Sequence, residues 1–216
     1  MNKQQLLTTL ELEDPFKTFR PKPDPTFFGW NGDTPIFGNL INEIKPKLVV
    51  EVGSWMGQSS INMASNIKAQ GLSNDSCLLC FDTWLGSKEH WADKNLRKHL
   101  HLRNGYPTFF EDFMTNVLNN DVEDVLMPIP LTSVSGAELL KEYGIKADLI
   151  YVDGSHEFRD VYNDLEAFWQ VLSPGAILFG DDWDWSGVRG AVLAFCAEIG
   201  CPVAPQGINW ILRKRF

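Results

Sequence analysis

Three aspartates are spaced so that a β-sheet would bring them to one edge. Leu149-Ile150-Tyr151-Val152 is a short apolar run that stops at Asp153-Gly154; Ala176 to Phe179 is a second, ending in Gly180-Asp181-Asp182. Between them Phe158, Val161, Leu165, Phe168 and Leu172 recur at helical spacing. Ser173-Pro174-Gly175 supplies the breakers that end a helix. A strand, helix and strand of this length imply a parallel pair. In an open parallel sheet the carboxyl ends of the strands share one rim, where ligands bind. Asp153, Asp181 and Asp182 then face one crevice. Close carboxylates repel each other unless protons or a cation compensate. A hard cation such as Mg2+ takes oxygen ligands and leaves room for water or a substrate oxygen. The competing reading makes each acid a helix cap or turn former, as Asp153-Gly154-Ser155 would be. Three acids at two strand tips favour the metal.

A second site-forming stretch lies upstream. Lys47 to Val52 reads as a strand, Glu51-Val52-Gly53-Ser54-Trp55-Met56-Gly57 as the turn after it, and Gln58 to Ala69 as a helix. Glycine lets backbone approach a ligand, and a helix N-terminus favours an anion. A dinucleotide site wants G-x-G-x-x-G, because the pyrophosphate rests on bare backbone. Here the pattern is G-x-x-x-G with Trp55 and Met56 inside it, which disfavours a nicotinamide enzyme and suits a smaller anion such as an amino-acid carboxylate. A plain tight turn explains the same residues. Cys77 to Phe81 is the next strand, and Asp82 at its end is placed to accept bonds from both ribose hydroxyls of a nucleoside, or to form another turn.

The remaining elements must hold these residues. Asp33-Thr34-Pro35 starts a helix, with Asp33 as cap. Val125 to Ile129 is a third strand, after which Thr132, Ser133 and Ser135 face the rim; Ala137 to Tyr143 and Gly187 to Ile199 are helices. Pro202 to Ala204 and Gly207 to Leu212 are terminal strands, antiparallel to each other. Residues 83–120 form an insertion with Trp84, His90, Trp91, His99 and His101, read as a lid on the acceptor side, with a helix from Pro107 to Leu118. His99-x-His101 is surface rather than a metal pair. Residues 1–32 form an N-terminal arm with a short helix from Gln4 to Leu12; its aromatics are too many for a disordered tail. The arm is expected to lie on the domain or on a partner subunit, as in a homo-oligomer.

The whole chain sets limits. Its 216 residues, without repeats or linkers, suit one domain over 1–216. A net charge of −9 argues against nucleic acid. No apolar run approaches membrane-spanning length, and the N-terminus lacks a signal-peptide core, so a cytoplasmic protein is expected. Cys77 and Cys80 lie on one strand three residues apart and point to opposite faces, so they are core thiols, not a zinc or redox pair.

The stretch VVEVGSWMGQSSINMA, with FDTW and DLIYVDGSHEFRDVYNDLEAFWQVLSPGAILFGDDW, resembles class I S-adenosylmethionine-dependent methyltransferases over residues 47–185. It is most similar to the catechol and macrocin O-methyltransferase-like groups. The resemblance implies an α/β, Rossmann-like, seven-stranded, mostly parallel sheet with an antiparallel last strand and helices on both faces. It puts Glu51, Gly53, Trp55 and Ser59 at the cofactor's methionine and nearby ribose, with Ser54, Gly57 and Thr83 beside them. Asp82 takes the ribose hydroxyls, Ser133 lies near the adenine, Asp153, Asp181 and Asp182 hold the divalent metal, and His156 stands where a general base belongs. A catechol-type enzyme has lysine and asparagine where this chain has histidine and aspartate, which moves the expected acceptor toward a sugar or other aliphatic hydroxyl. The implied activity is O-methyl transfer assisted by Mg2+; the alternatives are a metal-independent methyltransferase and a noncatalytic S-adenosylmethionine-binding module.

Overall fold

The computed structural model describes residues 1–215. Seven strands form one sheet: β1 (Leu48–Val52), β2 (Cys77–Phe81), β3 (Leu126–Ile129), β4 (Ala147–Val152), β5 (Leu172–Gly180), β6 (Val203–Gln206) and β7 (Asn209–Arg213). Their order is β3-β2-β1-β4-β5-β7-β6. The first five are parallel, and β7 runs antiparallel to both of its neighbours. The helices are α1 (Lys3–Leu10), α2 (Ile36–Ile44), α3 (Gln58–Ala69), α4 (Lys88–Ala92), α5 (Lys94–Arg97), α6 (Phe110–Asn119), α7 (Ser133–Glu142), α8 (Phe158–Val171) and α9 (Ser186–Ile199). The chain thus has the expected Rossmann-like architecture, a mostly parallel sheet of seven strands with helices on both faces.

The central strands are apolar runs because both faces are covered. Leu48, Val50 and Val52 pack into a core with α1, α7, α8 and α9. Val49 points the other way, into a core with α2, α3 and α6. Cys77 enters the first core and Cys80 the second, and both thiols are free. Burial holds both thiol pKa values above the ordinary range, Cys77 at about 12.

Register aligns the strand tips. Val52 pairs with Phe81 and with Val152, Phe81 with Ile129, and Val152 with Gly180. The residues that follow, Gly53, Asp82, Asp153 and Asp181, therefore leave the sheet along one rim. Gly53 has φ +84°, and a Cβ there would lie 2.1 Å from the Asp153 carbonyl oxygen, so only glycine lets these two strand ends come so close.

Several boundaries differ from the sequence expectation. Asp33 does not cap α2; Thr34 Oγ1 accepts from the Ile36 amide at 3.2 Å instead. α6 starts at Phe110, so Pro107 stays outside it. α7 begins at Ser133, capped by Thr132, which places Ser133 and Ser135 in its first turn. Ser173-Pro174-Gly175 does not separate α8 from β5 but forms an irregularity inside β5, where Leu172 already pairs with Ala147 and Gly175 donates to Lys214 O. The arm lies on its own chain: Phe16 is in the second core, and residues 22–31 bond to α6 and to the rim. Among the described residues no helix is long and apolar enough to cross a membrane.

Candidate active site

A cavity of about 930 Å3 opens over the carboxyl ends of β1 to β5. That volume suits a nucleoside-sized ligand together with a second small molecule. Of the residues singled out by sequence, Gly53, Ser54, Trp55, Ser59, Asp82, Thr83, His90, Thr132, Ser133, Asp153, His156, Asp181 and Asp182 line it. Glu51, Gly57 and Ser135 are not on its wall.

Glu51 sits beneath the turn, sealed from solvent. It accepts from Ser54 Oγ at 2.8 Å, from Ser59 Oγ at 2.5 Å and from Ser60 Oγ. Burial raises its pKa and the serine hydroxyls oppose the rise. Its action on the cavity thus passes through Ser54 and Ser59. Asp82 braces the same turn from β2. Its Oδ2 accepts from the amides of Ser54 (3.0 Å) and Trp55 (2.9 Å), and its Oδ1 from that of Trp84 (2.7 Å). Oδ2 is thereby filled, and Oδ1 keeps lone-pair capacity for a hydroxyl.

Trp55 and Trp84 both have positive φ, at +48° and +50°. Bulky residues are held there only by surrounding contacts. Trp84 Nε1 donates to Trp55 O at 2.9 Å, while the Trp55 ring stacks on His90 with centroids 4.3 Å apart. The lid thereby fixes the turn.

At the other end of the rim the acids gather. Tyr151 Oη donates to Asp153 Oδ2 at 3.0 Å. Desolvation, then Asp181 and Asp182, push the Asp153 carboxyl well above its usual range. Asp181 is raised to about 6, chiefly by burial, although Asn31 and Asn209 each donate to it at 3.1 Å. Asp182 Oδ2 lies 2.8 Å from His156 Nε2. That bond holds the imidazole pKa above 6.5 against the opposing effect of burial. Trp185 stacks on the His156 ring at 4.3 Å. Among the described residues no three His, Cys, Asp or Glu side chains are already closed into a metal cluster. The donor set nonetheless fits a hard divalent cation: these are carboxylate oxygens whose charges disfavour one another until something positive joins them.

Sequence reasoning missed several wall residues. Gly29, Trp30 and Asn31 come from the arm, Glu89 from α4, and Asp160, Asn163 and Asp164 from α8. Asp164 is buried, accepts from Ser133 Oγ at 2.5 Å and has its pKa pushed up to about 7 by desolvation. The available signal was helical phase: Asp160 and Asp164 lie four residues apart and share one face of α8.

The family model described as a methyltransferase domain matches residues 50–183. The chain belongs to that family and is an S-adenosylmethionine-dependent methyltransferase. Among solved structures it is similar to the O-methyltransferase NovP, with a TM-score of 0.63, 17% identity, 84% of this chain and 78% of that one covered. It is also similar to TomG from Streptomyces achromogenes, solved with S-adenosylmethionine (TM-score 0.60, 14% identity, 97% and 86% covered). A third is the calicheamicin methyltransferase CalS11 (TM-score 0.60, 16% identity, 82% and 76% covered). No curated protein matches.

Proposed function

We propose that this enzyme methylates a hydroxyl group of a sugar or other small polyhydroxy acceptor, with a divalent cation, Mg2+ by choice of donors, at the β4–β5 end of the cavity. The observation that carries the reading is the His156–Asp182 pair, set beside Asp153 and Asp181 in the same cavity as the Gly53 turn. Asp82, Ser54, Trp55, Ser59 and Thr83 line the end suited to the cofactor's ribose and methionine, and Ser133 the end suited to its adenine. Asp153, Asp181 and the Oδ1 of Asp182 would hold the cation. Such an ion, when bound, lowers the pKa of a hydroxyl and neutralises the charge it develops.

The chain's own residues supply the rest. Asp182 fixes the imidazole with its proton on Nε2, so the basic lone pair lies on Nδ1, which is buried and has no hydrogen-bond partner. Uncovered by a small shift of the ring, that nitrogen would take the acceptor's proton as the acceptor oxygen displaces the methyl group from the donor's sulfonium, with S-adenosylhomocysteine as the leaving group. Trp30, Trp55 and the lid exclude water and align the two substrates. A sugar acceptor is supported by CalS11, whose description names it a TDP-rhamnose 3'-O-methyltransferase.

A metal-independent reaction is favoured by one observation: Asp181 and Asp182 already have protein partners in Asn31, Asn209 and His156. Methyl transfer before and after EDTA, and after Mg2+ is restored, decides between the two. Loss and recovery of turnover support the cation; unchanged turnover removes it. Full activity in both Asp153→Asn and His156→Asn would place the chemistry elsewhere.

A further inference from the structure

The charge of the cavity wall selects an acceptor class, an inference that rests on the methyl-transfer reading above. Among the described residues that line the cavity there is no lysine or arginine. The wall carries Asp82, Glu89, Asp153, Asp160, Asp164, Asp181, Asp182 and Asp184. Burial raises the pKa values of Asp82, Asp153, Asp164 and Asp181, and Glu89, Asp160, Asp182 and Asp184 still leave the wall without a positive side chain to match them. Phosphate and diphosphate groups are bound through arginine, lysine or a cluster of free backbone amides. The amides of Ser54, Trp55 and Trp84 at the Gly53 turn are already spent on Asp82. Lys88, beside Ser87 and Glu89 of the wall, is paired with Glu157 and lies 3.9 Å from Glu89.

Two large aromatic faces stand open at the same wall. Trp30 is 48% exposed and Trp185 49%, and both line the cavity. An open indole offers a platform for the C–H face of a sugar ring and attracts a cation over its π-system. Glu89 lines the same cavity as His156, Trp30 and Trp185. An acidic wall, open indoles and no cationic side chain suit a ligand that is itself positive.

We propose that the acceptor is an amine-bearing polyol, such as an amino sugar, free of phosphate, and that Glu89 on α4 receives its ammonium group. Glu89 is thus a specificity-determining residue, while the hydroxyl to be methylated lies toward His156. The acceptor class thereby departs from that of CalS11, whose nucleotide-linked sugar would find no cationic side chain on this wall.

The test uses three matched probes with the full-length enzyme: methyl 2-amino-2-deoxyglucoside, its N-acetyl derivative and its 6-phosphate. The amine should give a kcat/KM about tenfold above the N-acetyl compound, the expected scale of a hydrogen bond to a charged group, and the phosphate the lowest value. Glu89→Gln should raise KM for the amine by about the same factor and leave the N-acetyl compound's KM unmoved. Equal use of the phosphate, or an amine preference that survives Glu89→Gln, overturns the assignment. So does turnover of none of the three; if S-adenosylhomocysteine still raises the melting temperature, the methyltransferase reading survives that failure.

Discussion

His156 Nε2 and Asp182 Oδ2 are 2.8 Å apart, and Trp185 stacks on the imidazole with ring centroids 4.3 Å apart. The pair raises the histidine's pKa, so the ring keeps its proton to higher pH than a free imidazole. Only the neutral ring can take a proton from the acceptor. The rate should therefore rise with pH through the raised value, and Asp182→Asn should move that limb to lower pH when measured at saturating Mg2+. The sign for stability follows. A raised folded-state pKa contributes stability below the unfolded value and loses it as pH rises through the folded one. Asp182→Asn should thus lower the melting temperature at pH 6 and have less effect at pH 9. His156→Asn should cut kcat by roughly 10²–10⁴, with S-adenosylhomocysteine affinity unchanged by calorimetry.

Glu51 holds the cofactor turn from below. Three serine hydroxyls converge on one buried carboxylate. Glu51→Ala leaves all three without their acceptor and should cost about 3 kcal/mol in urea unfolding, since each orphaned hydroxyl is worth roughly 1–3 and some find new partners. Cofactor affinity should fall with it, because Ser54 and Ser59 lose their orientation. Glu51→Gln, which keeps an acceptor, should be milder on both measures.

The difference between Glu51 and Asp153 also shows what the sequence can reveal. Both are acids at strand ends, and a buried parallel strand reads as an apolar run with a clear stop. The strand tips, the Gly53 turn and the acids of β4 and β5 were legible for that reason. Whether an acid faces the cavity or the floor depends on what packs over it, and the three serines that seal Glu51 do not declare themselves by type. The Ser133–Asp164 contact joins α7 to α8 and the Asn31–Asp181 contact joins the arm to β5, and no local period encodes either. The beginning of β5 was misplaced because Ser173-Pro174-Gly175 reads as a break, whereas the amide of Gly175 finds Lys214 O and lets the strand continue.

Asp112 pins the arm. It is fully buried and accepts from Lys22 Nζ and the Thr26 amide, each at 2.7 Å, and lies 2.8 Å from His101 Nδ1. Asn116, one turn on, donates to Thr26 O at 2.9 Å and to Met56 O at 3.0 Å, joining arm, lid helix and cofactor turn. Asp112→Ala leaves a lysine and an amide without their acceptor and should cost about 3 kcal/mol. The readout specific to this role is hydrogen exchange: amides over residues 22–31 should lose protection well before those of β1 and β4. Acceptor KM should rise more than cofactor Kd, since Trp30 and Asn31 ride on this segment. Uniform loss of protection across the sheet would instead make Asp112 a general fold residue.

Asp164 adds to the pH dependence of stability with the same sign as His156. Its carboxyl, buried under Ser133, is pushed up to about 7, against 3.8 for an unperturbed aspartate. Between those values the folded chain holds a proton that the unfolded chain has released. Stability then falls as pH rises through this window, because the native state binds more protons. The full shift would correspond to at most about 4 kcal/mol, and relaxation around the charged form reduces it. Asp164→Asn replaces the protonated acid with a neutral group of the same shape that can still accept from Ser133. It should leave the unfolding free energy nearly unchanged only below the unfolded value of 3.8, and raise it increasingly from there to pH 8, flattening the slope between. Chemical denaturation at half-unit pH steps measures that slope directly. A variant slope equal to that of the parent would mean that Asp164 is ionised in the folded protein throughout the range, with water or a ligand reaching it through the cavity.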